Sequence, residues 1–199
     1  ERTPEAYVEV LSDLLEEVLS VIQIVDGLLL LARGDAHQII IEKQRWLAGD
    51  IIGEFSKDWE AIASLRRQTI KLNPCPPLYI EGDKNLLSQL FLNIITNASK
   101  YSPTDSMIEI ETQSVTMSVK PYVKITVTDH GIGIPPEDTP KVFERFYRVN
   151  KDRARESGGT GLGLAIVRMI VELHNGKVEL TSKQGHGTTI SILLPDVSA

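Results

Sequence analysis

The sequence is poor in several features that would point to particular classes of protein. Cys75 is the single cysteine among 199 residues, which excludes an internal disulfide and fits a reducing compartment. No apolar run approaches the ~20 residues of a membrane-spanning helix, since Asp26 interrupts the most apolar stretch. The net charge of −6 argues against a nucleic-acid partner. No signal peptide is visible. The sequence therefore predicts a cytoplasmic chain with one hydrophobic core and a helical appendage.

The segment from residue 89 to residue 101 is strongly apolar but carries an unusual polar stripe. Asn93 and Asn97 are four residues apart, and Lys100 follows three residues later. With 3.6 residues per turn, these three and Gln89 fall within an arc of roughly 80° on a helix. Asn is a poor helix-interior residue because its side chain competes for backbone hydrogen bonds. The stripe alone fits a solvated face and a surface for a metal–phosphate ligand about equally well.

A second segment favours the ligand interpretation. Residues 123–128 alternate between apolar and polar, which indicates a half-buried strand. The strand ends at Asp129, followed by Gly131 and Gly133. A carboxylate at a strand end can accept hydrogen bonds from a ligand amine, and glycines let the backbone approach closely. An ordinary turn after a strand is the alternative, because this short pattern is common.

A third segment predicts an anion-binding loop. Residues 158–165 read Gly-Gly-Thr-Gly-Leu-Gly-Leu-Ala and open an apolar helical run from Leu164 to Leu173. Glycines at a helix N-terminus expose amide groups to anions. A Walker A loop would end in Gly-Lys-Ser/Thr, and no lysine is present. A dinucleotide-binding fingerprint needs a preceding strand and different glycine spacing, whereas residues 149–157 are charged and polar.

These segments, in this order, resemble the ATP-binding domain of sensor histidine kinases, within the GHKL superfamily. The resemblance covers about residues 36–195 and includes every motif of the domain. It implies a two-layer α/β sandwich (the GHKL or Bergerat ATP-binding fold) with a mixed sheet, helices on one face, and one long α-helix in front. The matching segments are Asn93–Tyr101 for the asparagine box, Asp129–Gly133 for the first glycine box, Val142–Arg148 for the phenylalanine box, Gly159–Gly163 for the second glycine box and Gly185–Thr188 for the last glycine motif.

The resemblance implies ATP and Mg²⁺ as cofactors and assigns roles to residues. Asn97 would ligate Mg²⁺ with Asn93 as its partner, and Lys100 would contact the phosphates. These three form the predicted catalytic set. Asp129 would accept a hydrogen bond from the adenine amino group, supported by Thr188. The other predicted nucleotide-binding residues are Tyr101 beside the base, Gly131, Gly133 and Ile134 in the first glycine box, Arg148 in the lid, and Gly159, Gly161, Leu162 and Gly163 on the phosphates.

The stretch from residue 141 to residue 155 resembles the mobile lid of the family. A basic lid in an acidic chain suits a polyphosphate anion, and we expect only one or two of its arginines to touch phosphate. The lid carries six cations, Lys141, Arg145, Arg148, Lys151, Arg153 and Arg155, against Glu144 and Asp152.

One position separates the branches of the superfamily. Its ATPases resemble one another in a glutamate, the general base for water, at the position of Asn93. A carboxamide cannot act as a base at neutral pH. The pocket is therefore predicted to hold ATP for transfer to another nucleophile. A GHKL ATPase, a serine-kinase regulator and a nucleotide-binding module without kinase activity remain the alternatives. His130, where Asn is commoner in the family, is expected to face outward without a catalytic role.

Residues 1–34 are predicted to form a separate unit from residues 35–199. Thr3-Pro4-Glu5 is typical of a helix start, and Gly34 of a helix end. Two adjacent apolar rows give a face that suits a four-helix bundle better than a two-stranded coiled coil. This helix resembles the second helix of a histidine kinase dimerisation domain. The rows are Tyr7, Leu11, Leu14, Val18, Val21, Val25, Leu28 and Ala32, and Val8, Leu15, Ile22 and Leu29.

The resemblance also implies a phosphoacceptor histidine, followed by Glu or Asp, on a preceding helix. None of the four histidines, His37, His130, His174 and His186, is followed by an acid. We therefore expect the chain to be part of a longer protein whose first dimerisation helix, and any sensor or membrane anchor, lie before residue 1. The predicted partners are ATP, that helix, a second copy in a homodimer, and a response regulator receiver domain. The chain alone is predicted not to autophosphorylate, and its uncovered helix face to favour non-native association.

The remaining pattern predicts the other elements. Asp83 is expected to cap the asparagine-box helix, and Trp46 and Trp59 to provide core and hinge packing. The predicted elements are a strand over 38–42, a helix over 46–66, and strands over 70–72, 78–81, 107–117, 122–128, 177–182 and 188–194.

Overall fold

The computed structural model of the chain describes residues 3–149 and 159–198. The elements in chain order are α1 (Pro4–Asp35), β1 (Gln44–Leu47), α2 (Ala48–Ser64), β2 (Thr69–Leu72), β3 (Tyr79–Gly82), α3 (Lys84–Tyr101), β4 (Met107–Met117), β5 (Lys120–Asp129), a 3₁₀ turn (Thr139–Lys141), α4 (Gly163–Leu173), β6 (Lys177–Lys183) and β7 (Gly187–Pro195).

Five strands form a mixed sheet in the order β2-β4-β5-β7-β6. β2 is parallel to β4, and the other neighbours are antiparallel. β1 and β3 form a separate antiparallel pair, in which Trp46 lies opposite Ile80. The mixed sheet, its helices and the long first helix confirm the predicted fold class.

The core lies between one face of the sheet and helices α2, α3 and α4. Alternate residues of β4 and β5 are buried, as expected for strands with one covered face, whereas residues 190–194 of β7 are all buried. Three aromatic rings fill the space at α2 and α3: Phe55, Trp59 and Phe91, with centroids 5.6 to 6.3 Å apart. Trp59 is 1% exposed, so its predicted core role is confirmed. This packing fixes α3, which carries the polar stripe, against the sheet.

Helix α1 presents two different faces. One face packs on α4: Leu31 is buried, and a Cβ on Gly27 would lie 3.3 Å from Leu162 and from Ile166. The absence of a side chain at Gly27 thus lets the two helices approach closely. The other face carries the two apolar rows predicted for a helical bundle, and their large side chains are 38 to 65% exposed.

The structure corrects three details near the start of the domain. The strand predicted over 38–42 is wrong, because those residues have no regular structure and the strand is β1. The helix predicted to begin at Trp46 begins at Ala48. Trp46 belongs to β1 instead, where its indole N–H donates to the carbonyl of Gly82 at 3.0 Å. The strand predicted over 78–81 is confirmed as β3 but pairs outside the main sheet.

The start of α3 agrees with the prediction. Asp83 caps the helix, since its Oδ1 accepts hydrogen bonds from the main-chain N–H groups of Asn85 and Leu86 at 2.9 and 3.1 Å. Among the described residues, no helix combines the length and the apolar character needed to cross a membrane.

Candidate functional site

The polar stripe of α3 faces the N-terminus of α4. Asn93 Nδ2 donates to the carbonyl of Gln89 at 2.9 Å, which directs Oδ1 away from its own helix. That oxygen lies 3.0 Å from the point where a Cβ on Gly163 would be, and Asn97 Nδ2 lies 3.7 Å from the same point. The missing side chain at Gly163 thus leaves both carboxamides open to the crevice between the helices. Neutral oxygens of this kind suit a hard cation.

Two cations converge on Gly159, in the loop that precedes α4. Lys100 Nζ lies 2.7 Å from the Cβ position of Gly159, and Arg148 donates to the carbonyl of Gly159 at 2.6 Å. The pKa of Lys100 is lowered, first because partial burial disfavours the charged form and second because Arg148 is close. An anion bound between them would relieve this repulsion.

The loop that leads into α4 is shaped for a close main-chain approach. Gly161 has φ +71°, and a Cβ there would lie 2.8 Å from the main chain of Phe146. The Gly161 carbonyl accepts from the Phe146 N–H at 2.9 Å. Leu162 is 1% exposed and precedes the first residue of α4. The N–H groups of a first helical turn lack intrahelical acceptors, and in α4 this turn begins beside Asn93 and Asn97, where it favours a negative charge.

Asp129 is the last residue of β5 and lies beside the C-terminal end of α3, where Gly131 meets the Tyr101 carbonyl. Its Oδ1 accepts two main-chain hydrogen bonds, from Gly131 at 2.9 Å and from Thr188 at 3.1 Å. Burial raises the pKa of Asp129, although these two donors act in the opposite direction. No donor from the described residues reaches Oδ2 of Asp129. The carboxylate therefore offers one acceptor to a ligand.

The glycines around Asp129 hold three main-chain segments together. A Cβ on Gly131 would overlap the carbonyl oxygen of Tyr101, and one on Gly133, which has φ +65°, would overlap the carbonyl of Lys183. The Ile132 N–H donates to the Tyr101 carbonyl at 3.2 Å. The first glycine box is thus wedged between the end of α3 and the β6–β7 turn.

Ser182 completes this end of the site and was missed by the sequence analysis. Its Oγ accepts from the Ile134 N–H at 2.8 Å, donates to the Gly187 carbonyl at 2.9 Å, and lies 2.9 Å from Thr188 Oγ1. Only the register of β6 and β7, which places Ser182 opposite Thr188, reveals this role.

The two arginines of the predicted lid that the structure describes have different partners. Arg148 reaches the crevice, but Arg145 points away and forms an ion pair with Asp35 of α1 at 2.6 Å. A hydrogen bond from Tyr147 to Asp138 at 2.5 Å raises the pKa of Tyr147 to about 12. The lid predictions for Lys151, Asp152, Arg153 and Arg155 lie outside the described residues.

The side chains of Tyr101 and His130 lie at the margins of the site. The Tyr101 ring is 41% exposed, with its centroid 5.4 Å from Lys100 Nζ. His130 is half exposed and lies 3.5 Å from a carboxylate oxygen of Glu109. It therefore faces away from the crevice, as predicted.

Known proteins resemble this chain in sequence. The family model described as histidine kinase-, DNA gyrase B-, and HSP90-like ATPase matches residues 82–198. Sensor protein kinase WalK of Staphylococcus aureus is 38% identical over 187 residues, which are 90% of this chain and 43% of that protein. WalK of strain Newman matches equally well over 29% of its own length. The chain thus spans less than half the length of these relatives.

Solved structures give the same result. The mycobacterial sensor histidine kinase MprB is 28% identical with a TM-score of 0.64, over 77% of this chain and 97% of that one. The Acinetobacter baumannii histidine kinase AdeS is 20% identical with a TM-score of 0.74, over 100% of this chain and 87% of that one, a likeness in fold. The chain belongs to the family of histidine kinase-, DNA gyrase B- and HSP90-like ATPases, and it contains the catalytic ATP-binding domain found in sensor histidine kinases.

Proposed function

We propose that this chain binds MgATP in the crevice between α3 and α4 and transfers the γ-phosphate to a histidine of its parent protein that lies outside the chain. The phosphate would then pass to an aspartate of a response regulator receiver domain. One observation supports this above all others. An open carboxylate acceptor, Asp129, and a pair of converging cations, Lys100 and Arg148, lie beside the same last turn of α3.

At the base end, Asp129 binds the adenine amino group. Its Oδ1 is held by two main-chain donors, so Oδ2 is left to accept from the exocyclic amine. Gly131 and Gly133 hold the loop after Asp129 against the end of α3 and the β6–β7 turn, with Ile134 next to them. Thr188 and Ser182 orient Asp129, and Tyr101 covers the base from the open side. Partial desolvation of the carboxylate strengthens this contact.

At the phosphate end, Lys100 and Arg148 bind the phosphate chain. The N–H groups of the loop Gly159–Gly163 add donors, in the manner of other glycine-rich helix starts. Partial burial lowers the pKa of Lys100, repulsion from Arg148 adds to this, and negative charge from the phosphates opposes both effects. Lys100, Arg148 and the helix terminus thus favour a triphosphate over a monophosphate.

Between the two ends, Asn97 and Asn93 are the residues that fit a magnesium ion. Both carboxamides border Gly163, and the Asn93 oxygen is oriented by its hydrogen bond to Gln89. Mg²⁺ prefers oxygen ligands and commonly reaches the protein through few side chains plus phosphates. When bound, it neutralises charge on the transferring phosphoryl group.

The identity of residue 93 favours transfer over hydrolysis. A carboxamide cannot remove a proton from water at neutral pH. Without a general base for water, bound ATP is retained until another nucleophile, here an imidazole, reaches the γ-phosphate. We therefore assign Asn93, together with Asn97, to the residues that would hold the metal.

Helix α1 belongs, in this proposal, to a dimerisation unit over residues 1–34, next to the catalytic unit over 35–199. Its uncovered apolar rows fit the first helix of that unit and a second copy of the parent, as a four-helix bundle. The catalytic unit operates in the cytoplasm, where ATP is present. Whether a membrane anchor precedes it is a property of the parent.

A transphosphorylation assay tests the proposal. The chain is mixed with radiolabelled MgATP and a fragment of its parent that carries the first helix. We expect acid-labile phosphate on the fragment, and none when its histidine is replaced by glutamine or when Asn97→Ala is used in the chain. Rapid release of inorganic phosphate without labelling would favour an ATPase. Failure to bind MgATP would favour a binding module of another kind.

A further inference from the structure

A buried polar cluster at the C-terminal end of helix α3 contains two residues, Arg66 and Gln68, that lie outside the predicted ATP-binding motifs. Gln68, between α2 and β2, donates through Nε2 to the carbonyls of Ser99 at 3.0 Å and Pro103 at 2.8 Å. Its Oε1 accepts from Ser99 Oγ at 2.6 Å. Arg66 donates to the carbonyls of Lys100 at 3.0 Å and Ser102 at 3.3 Å. We name Arg66, Gln68 and Ser99 the α3 clamp.

The clamp replaces water at the end of the helix. The last carbonyls of any α-helix lack intrahelical partners and are commonly hydrated. Here water has little access, because Gln68 is 6% exposed and Ser99 is 3% exposed. Buried carbonyls without donors are costly, so the side chains of Arg66 and Gln68 determine where the last turn of α3 lies.

That last turn carries the residues that face the nucleotide. The carbonyls held by the clamp belong to Ser99 and Lys100, while the next residue, Tyr101, accepts a hydrogen bond from Ile132 of the first glycine box. The end of α3 is therefore fixed from two sides. From this position the Lys100 side chain extends to Gly159, across the crevice.

We propose that Arg66 and Gln68 are positioning residues for the phosphate end of the site: they fix the last turn of α3 so that Lys100 points at the phosphates. The inference rests on the proposed function, because it takes Lys100 as a phosphate ligand. Asp129, on β5, is not held by the clamp. Loss of the clamp therefore weakens the phosphate contacts more than the base contact, because Tyr101 keeps its hydrogen bond from Ile132 of the first glycine box.

The test compares Gln68→Met with a matched control at the other end of the same helix. The control is His174→Gln. The His174 side chain is buried, and its Nε2 accepts a hydrogen bond at 3.0 Å from the main-chain N–H of Asp83, the residue that caps the start of α3. Affinities for MgATP and for adenosine are measured by calorimetry. We expect Gln68→Met to weaken MgATP about tenfold, as for the loss of one charge-assisted hydrogen bond, and adenosine by less than about threefold. His174→Gln is expected to change both affinities by the same factor.

A second measurement needs no nucleotide. The Lys100 amine is followed by NMR of the ¹³C-methylated protein during a pH titration. If the clamp is lost, the ammonium group moves into water and the pKa of Lys100 returns towards its ordinary value. Suppose that this shift is observed in Gln68→Met and that the unsubstituted chain does not bind MgATP. The clamp would then be supported, and the proposed function would be overturned.

The opposite results would overturn the clamp. An unchanged Lys100 titration in Gln68→Met, with MgATP and adenosine weakened by equal factors, would show that Gln68 has only a general structural role. If Gln68→Met does not fold, Arg66→Gln replaces it. This half-buried side chain loses its bonds to the Lys100 and Ser102 carbonyls and keeps Gln68 in place, and the same two measurements decide.

Discussion

The proposed base end and the proposed phosphate end of the site are built in different ways. At the base end, Asp129 is held by main-chain donors from two neighbouring segments of the sheet region, so its position depends on strand register. At the phosphate end, Lys100 and Arg148 are like charges brought together at Gly159. The base end is therefore complete before a ligand arrives. The phosphate end is electrostatically incomplete and is stabilised by the ligand itself.

The largest effect should come from damaging the base end. In Gly131→Ala the new Cβ overlaps the Tyr101 carbonyl, so the first glycine box must move away from α3. We expect adenosine and MgATP to lose about 100-fold or more in affinity together, roughly 3 kcal/mol.

The matched control for that change is Gly53→Ala, because a Cβ on Gly53 in α2 meets nothing within 4 Å. It should bind both ligands normally and unfold at a slightly higher denaturant concentration, since Ala is favoured over Gly inside a helix by about 1 kcal/mol. Adenosine binding retained by Gly131→Ala would contradict the account of the base end.

A smaller and more selective effect is expected at the phosphate end. Lys100→Met keeps the length of the side chain and removes its charge. MgATP should bind about tenfold more weakly, because a charge-assisted contact contributes about 1.5–3 kcal/mol and Arg148 compensates in part. Adenosine affinity should not change. Calorimetry on both ligands measures the two affinities, and equal losses would place Lys100 outside the phosphate site.

The smallest effect concerns stability without ligand. Since burial raises the pKa of Asp129, the folded state binds this proton more tightly than the unfolded state. The contribution of Asp129 to the free energy of unfolding therefore falls as pH rises from the ordinary Asp value through the raised folded value. In Asp129→Asn this slope is absent.

Urea unfolding of both proteins between pH 4 and pH 7 measures the difference. The stability of Asp129→Asn relative to the parent chain should rise with pH and then level off, because all other groups cancel in the comparison. A difference that is independent of pH would mean that Asp129 is not desolvated in the folded protein.

The same contrast explains what the sequence could predict. Asn93, Asn97, Asp129 and the glycine loop before α4 lie in short motifs, in which local spacing is enough to suggest chemistry. Ser182 was missed because its contacts with Ile134, Gly187 and Thr188 depend on the pairing of β6 with β7. The α3 clamp was missed for a similar reason, since Gln68 and Ser99 are 31 residues apart.

One local error and one missed contact have a tertiary cause. Trp46 fits the apolar face of the next helix, and this spacing predicted a helix start there. The pairing of β1 with β3 and the bond from the indole to Gly82 override that preference. Gly27 showed no signal within α1, and only the approach of α4 explains why a side chain is absent there.

The central claim is that Asp129 binds the amino group of adenine in a preformed base end. The most direct measurement is a two-by-two comparison of MgATP and MgITP, whose base carries an oxygen in place of the amino group, with the parent chain and Asp129→Asn. The account predicts that the parent chain prefers MgATP by about 5- to 150-fold, which corresponds to roughly 1–3 kcal/mol. In Asp129→Asn this preference should vanish or reverse, because the new amide donates to that oxygen. The same MgATP-to-MgITP ratio in both proteins would contradict the account.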